Sequence, residues 1–472
     1  MNIKNFIINI SLFMAVVFVT TACNKEGNDD EVTLPAPELV SSSLENGAVN
    51  IPVGDLSIVL TFNQNVTSPS AGHSSVNLEG AEVTSIKANL KEVTILISGL
   101  VLDCDYSLII PKGVILGPTK VPAEEIVINF STIKSTPVGP VKSELCTPNA
   151  SSQAKNVYAF LIENYSKNII SSTIANVNWN INEAEWVYQH TGKYPAMNCF
   201  DYIHLFASPS NWIDYTNTSV VEDWWNRNGL VAAMWHWNVP KQETSASDDV
   251  TCNPQETVFR PTQALTEGTW QNKVLKADLK KVADCLKLLQ NKNIPVIWRP
   301  LHEAAGNIYE YTGGTAWFWW GADGAEAFKS LWIYMFDFFK NEGINNLIWV
   351  WTAQGGDNAF YPGDDYVDII GRDLYNITSV TQIQQEYAEL ISNYPGKLVT
   401  LSECGNIPDI ENAWQSGAQW SWFMPWYDYE RTDNVADSDF GSAEHGHANA
   451  AWWEKAVNAE NVITLDEMPS LK

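Results

Sequence analysis

IPVIWRPLHEA at 294–304 and KLVTLSECG at 397–405 share one pattern: an apolar, strand-like run that closes on a glutamate. Ile294–Trp298 leads through Arg299 and His302 to Glu303, and Leu398–Leu401 leads to Glu403. Short apolar runs of this kind, with helical pattern between them, read as buried parallel strands. In a β/α barrel the chemistry sits where such strands end. One glutamate at a strand end is ordinarily solvated or salt-bridged. A fixed pair of carboxylates is what glycosidic-bond hydrolysis requires, so it is Glu303 together with Glu403 that carries the meaning.

Working outward, Leu275, Leu279, Val282, Leu286 and Leu289 fall on one helical face, as do Phe328, Trp332, Met335 and Phe339. These are expected as packing helices outside a barrel. The other strand candidates are Ile169–Val177, Pro195–Leu205, Leu230–Asn238, Asn346–Thr352, Val367–Leu374, Leu398–Ser402 and Trp420–Tyr427. With the run at 294–301 the count reaches the eight strands of a (β/α)8 TIM barrel.

The neighbours of the two glutamates sharpen the reading. WFWWG at 317–321 follows Glu303, MWHWN at 234–238 precedes it, and YPGDDYVDIIGRDLY at 361–375 lies between the two carboxylates. In this order, over roughly residues 150–470, the set resembles glycoside hydrolase family 26, best known for β-mannanases. The resemblance implies Glu303 as the acid/base at the end of the fourth strand and Glu403 as the nucleophile at the end of the seventh. It implies Tyr375 as the tyrosine that hydrogen-bonds the nucleophile, and His236 and His302 as contacts of the sugar where the bond is cut. It further implies Trp426 as the aromatic platform beneath that sugar and Trp317 as the aromatic on the leaving-group side. Arg299 has two readings, a guanidinium fork to a carboxylate or a structural salt bridge in the barrel core, and the sequence leaves both open. Trp319 and Trp320 read as core. One departure stands out: Ala304–Ala316 is longer than the family pattern and adds Tyr309, Glu310 and Tyr311 beside the acid. The loop Pro240–Gln271 is a second rim element.

Composition frames this. The chain has 472 residues, 28 Lys+Arg against 55 Asp+Glu and a formal charge of -27, which repels phosphate backbones and excludes nucleic acid as a partner. Its 21 Trp and 17 Tyr offer flat faces to a neutral polymer, although most such rings belong to cores. Lys4, the apolar run Phe6–Val19 and Thr-Thr-Ala-Cys at 20–23 resemble a bacterial lipoprotein signal with Cys23 lipidated; Thr20 stands where the lipobox has Leu. The alternative is a plain secretory signal. Asn24–Glu31 is a polar, acidic tether. Six cysteines remain after Cys23, an even count that permits disulfides without requiring them; Cys285 and Cys404 read as buried thiols. No CxxC pair or His-x-x-x-His spacing marks a metal site, and no cofactor is expected.

Alternation at Leu56–Phe62, Val93–Ile97, Tyr106–Ile110 and Ile126–Phe130 reads as an all-β sandwich, and TFNQNV at 61–66 resembles the opening of bacterial Ig-like domains that act as spacers. The expected organisation is a signal peptide at 1–22, a tether at 23–33, an Ig-like sandwich at 34–132, a linker at 133–145 and the barrel at 146–472. The expected protein is a monomeric, surface-displayed outer-membrane lipoprotein, held to the membrane through its lipid alone. As a retaining hydrolase it would cut β-1,4-mannosidic bonds in mannan-type polysaccharide. The alternatives are a β-glucanase or β-1,3-xylanase of the same family, or a non-catalytic glycan-binding lipoprotein.

Overall fold

From residue 169 onward the buried apolar runs pair in parallel. They form β1 (Ile169–Ile174), β2 (Met197–Asp201), β3 (Leu230–Trp235), β4 (Val296–Pro300), β5 (Leu347–Ala353), β6 (Ile369–Tyr375), β7 (Leu398–Gly405) and β8 (Trp422–Pro425). Each strand pairs with the next, and β8 and β2 both pair with β1, which closes the barrel. The computed structural model describes residues 35–68, 72–134, 138–176, 179–210 and 212–472. The expected signal peptide, Cys23, the tether and part of the linker lie outside the described residues.

All eight expected strands are present, and most are shorter than the apolar runs that announce them. The second ends at Asp201, because the chain then turns through Leu205–Ala207; the third ends at Trp235, so His236 sits just past the strand, on the rim. A short addition that the sequence reading does not contain, Val462–Ile463, pairs in parallel with the start of β1. The helices Trp270–Gln290 and Ala325–Asn341 bury the faces expected of them. Thr269 caps the first by accepting from the Asn272 backbone N–H, a contact worth about 1 kcal/mol. The largest fully buried side chains are all tryptophans, Trp319 and Trp320 included, so the high indole content is largely packing. Cys104, Cys146, Cys199, Cys252, Cys285 and Cys404 are free thiols.

The N-terminal region carries two four-stranded sheets. One contains Leu39–Ser42, Gly54–Phe62, Glu92–Leu100 and Glu82–Asn89; the other contains Ala48–Ile51, Ile126–Thr132, Asp105–Ile110 and Asn77–Leu78. Alternate residues of both, such as Ile58, Leu60, Ile95, Leu108 and Ile128, share one core. No described helix is long and apolar enough to cross a membrane.

Candidate active site

The C-terminal ends of β3, β4, β6, β7 and β8 bring the sequence-predicted residues to one rim. At the end of β4 the backbone enters the left-handed region twice, at Leu301 (φ 48°) and at Glu303 (φ 48°). For residues with a Cβ this costs roughly 1–2 kcal/mol each. The turn brings the Glu303 carboxyl beside those of Asp373 and Glu403 and buries His302.

Arg299 organises the centre. Its Nη1 donates to Glu403 Oε1 at 2.6 Å, its Nη2 to Asp373 Oδ2 at 2.5 Å and its Nε to Thr352 Oγ1 at 2.8 Å. The two readings of Arg299 therefore meet in one side chain. Tyr375 Oη donates to the other oxygen of Glu403 at 2.7 Å, so both carboxylate oxygens have a donor. Burial and the Glu403 charge push the Tyr375 phenol well up, which keeps its proton in place to donate.

Three carboxyl groups, those of Glu303, Asp373 and Glu403, present oxygens within 4.8 Å of one another. At that separation two like charges repel by on the order of 3 kcal/mol at an effective dielectric near 20. Arg299 supplies only one positive charge, so the cluster retains a proton. Burial, then the charges of Asp373 and Glu403, raise Glu303 well above the usual carboxylate range, and its carboxyl hydrogen-bonds Asp373. Burial raises Asp373 as well, against the pull of Arg299. The three groups have the spacing of a cation site, but Arg299 and Tyr375 already donate to its lone pairs and the guanidinium brings the charge a cation would bring.

Around this centre, His236 is pinned by Asp201, whose oxygens meet its backbone N–H at 3.2 Å and its Nδ1 at 2.5 Å. The His302 ring lies 4.5 Å from it, edge to face, and burial followed by the proximity of His236 and Arg299 holds His302 neutral. Trp426 closes the far side, 5.9 Å from His236, and its Nε1 donates to Tyr429 Oη at 2.7 Å. Trp317 is 40% exposed and shares a cavity of ≈ 430 Å³ with Glu303, Asp373 and Tyr375.

Sequence reasoning missed Asp373, Asp201, Tyr429 and His447. Asp373 lies inside the run that announces β6, beside Arg372, and its partner Arg299 is 74 positions away, so the pattern does not single it out. His447 carries no signal either. It arrives from a long loop after β8 and stacks edge-on to Tyr375 at 5.6 Å.

The fold and the site define a class: a (β/α)8 barrel with a buried, proton-sharing carboxylate cluster on its C-terminal rim. The chain belongs to glycosyl hydrolase family 26, whose profile matches residues 146–448. It is 33% identical over 336 residues, 69% of this chain and 50% of the relative, to mannan endo-1,4-beta-mannosidase A of Piromyces sp. A mannan endo-1,4-beta-mannosidase of Thermothelomyces thermophilus is 33% identical over 380 residues, 76% of this chain and 72% of that one. Among solved structures, the family 26 domain of an endo-beta-mannanase/endo-beta-glucanase from Prevotella bryantii is 40% identical with a TM-score of 0.63, covering 69% of this chain and 99% of that one. A beta-mannanase from a symbiotic protist of the termite Reticulitermes speratus, solved with gluco-manno-oligosaccharide, is 33% identical with a TM-score of 0.58, covering 71% of this chain and all (100%) of that one. The chain spans about half the length of the first of these curated relatives.

Proposed function

We propose that the chain is a retaining endo-acting glycoside hydrolase that cleaves β-1,4-mannosidic bonds in mannan-type polysaccharide. The observation that carries the mechanism is the cluster itself. Carboxyl oxygens within 4.8 Å suit direct attack, whereas inversion needs roughly 6.5–9.5 Å to admit a water. Glu403, held by Arg299 and Tyr375, attacks the anomeric carbon as the bond to the glycosidic oxygen breaks. Glu303 gives its proton to that oxygen. Once Glu403 is esterified its charge is gone, Glu303 becomes a stronger acid, and its carboxylate then takes the proton of the water that frees the sugar. His236 and His302 contact the reacting sugar, Trp426 lies beneath it and Trp317 meets the leaving group. The mannan preference rests on the relatives, each of which is named for mannan or beta-mannan.

Reducing-sugar release measured in parallel on mannan, glucomannan, xylan and lichenan should favour the first two; release from lichenan or xylan alone would replace the substrate. Glu303→Ala should lower polysaccharide turnover by about 10²–10⁴-fold yet form the glycosyl-enzyme normally from an activated aryl mannobioside, whose leaving group needs no acid. Glu403→Ala should abolish both reactions. Mannan turnover near wild type in either variant would remove the assignment. The N-terminal sheets are read as an Ig-like spacer, and Cys23 as the lipid anchor that displays the barrel at the cell surface. Labelled palmitate should enter the wild-type chain but not Cys23→Ala, and equal membrane retention of both would exclude the anchor.

A further inference from the structure

The loop between β8 and the helix Ala450–Asn458 sends two side chains back to the catalytic rim. Near its start Tyr429 accepts from Trp426 Nε1, and near its end His447 lies edge-on to Tyr375. The rings of Tyr429 and His447 come within 6.0 Å of each other. Gly405, two positions beyond Glu403, makes room for His447, since a Cβ there would stand 2.5 Å from His447 Nδ1. β8 ends at Pro425, so strand pairing fixes neither ring, and a loop costs conformational entropy to hold in one shape.

Both ends of the loop are held by one carboxylate outside the barrel. Glu183, in the first turn of the helix Asn182–Thr191, is only 3% exposed. Its Oε1 accepts from the Asp428 backbone N–H at 3.4 Å and from Arg431 Nη2, and these two residues bracket Tyr429. Its Oε2 meets His445 Nε2 at 3.1 Å. His445 Nδ1 accepts the backbone N–H groups of His447 and Ala448 at 3.0 and 3.1 Å, so the ring proton sits on Nε2 and points at Glu183. Burial, then Arg431 and His447, pushes His445 down to about 3, which keeps that ring neutral. A carboxylate buried this deeply needs partners, and every partner of Glu183 belongs to the loop. The middle of the loop has anchors of its own. Trp186 Nε1 donates to the Ser442 carbonyl at 2.9 Å, and Asn182 Nδ2 to the Asp433 carbonyl at 3.1 Å.

We infer that Glu183 is a positioning residue of the catalytic centre: it clasps both ends of the loop after β8, so that Tyr429 holds Trp426 and His447 backs the Tyr375 phenol that grips Glu403. It touches no reacting group and acts through those two rings. The inference rests on the roles given above to Trp426, Tyr375 and Glu403.

Glu183→Gln keeps the shape and breaks the clasp. An amide offers one accepting and one donating end. Either Arg431 then faces a donor, or His445 must carry its proton on Nδ1 and turn it against the backbone N–H groups it held. The variant should lower kcat/KM on mannopentaose by about tenfold, the value of roughly one hydrogen bond. In a His447→Ala/Tyr429→Ala background, where neither delivered ring remains, the same substitution should change kcat/KM by less than about twofold, while its loss of Tm persists in both backgrounds. A tenfold loss in both backgrounds would make Glu183 purely structural, and no loss in the wild-type background would show that the loop is set without it; either result overturns the inference. If Glu183→Gln folds poorly, His445→Ala, which leaves the Glu183–Arg431 pair intact, runs the same cycle against His447→Ala alone. A wild type that leaves mannopentaose uncut would instead remove the mannan reading, and with it the roles on which the inference rests.

Discussion

Asp373 sits between the two glutamates and one guanidinium, and its charge acts on both. It raises Glu303, and it draws one arm of the Arg299 fork whose other arm holds Glu403. Replacing it by asparagine keeps the shape and removes the charge. With less negative potential beside it, Glu303 loses its proton at lower pH, so the alkaline limb of the kcat/KM profile should move to lower pH by about 1 unit or more. A limb that stays in place would mean that burial alone sets the acid. Arg299→Met should be far more damaging, at about 3–5 kcal/mol of stability, because it leaves buried carboxylates unpaired; thermal unfolding reads this directly. Glu303 and Glu403 were legible in the sequence because each ends an apolar run in an acid that core packing does not need. Asp373 was not, because it lies inside such a run and its partner Arg299 stands 74 positions away.

Parallel strands buried on both faces read as mostly apolar runs, which is why all eight were legible. Their exact ends were not, since His236 and Trp426 owe their rim positions to loops rather than to strand pattern. The irregularity that shapes the site was invisible too. Between Arg372 and Asp373 the β6–β7 register shifts, so that Asp373 comes to face Glu403. Ser402 at this step donates to Asp373 Oδ1 at 2.7 Å, and Gly371 gives it room. A Cβ on Gly371 would stand 2.3 Å from Ser402 Oγ and 2.8 Å from its Cβ. Gly371→Ala should therefore cost about 1–3 kcal/mol, or about 2–4 °C in Tm per kcal/mol, and reduce activity by turning Ser402 away from Asp373. Adding Ser402→Gly should recover much of the Tm without restoring that hydrogen bond. Equal Tm for Gly371→Ala and wild type would show that the step has slack.

At the scale of the whole molecule the dominant quantity is charge. A formal charge of -27 disfavours the compact state through self-repulsion, and it grows as pH rises. Buried carboxyl groups act in the same direction. Burial pushes Asp278 and Asp368 up to about 6 and Asp357 up to about 7, against about 3.9 in an unfolded chain. Between those values the folded state binds protons that the unfolded state has released. The contribution of these groups is therefore full below about pH 4 and is lost as pH rises through 6 to 7. From pH 5.5 to pH 8 the loss is on the order of 3–4 kcal/mol. Tm should accordingly be several degrees higher at pH 5.5 than at pH 8 in low salt. Added salt at pH 8 should recover the part due to surface repulsion, since exposed charges more than a Debye length apart are screened, and leave the part due to Asp278, Asp357 and Asp368. Asp357→Asn should flatten the remaining slope, because it removes the group whose proton is held to the highest pH of the three. A Tm that is equal or higher at pH 8 would mean that the folded state does not hold the protons of Asp278, Asp357 and Asp368 above pH 5.5.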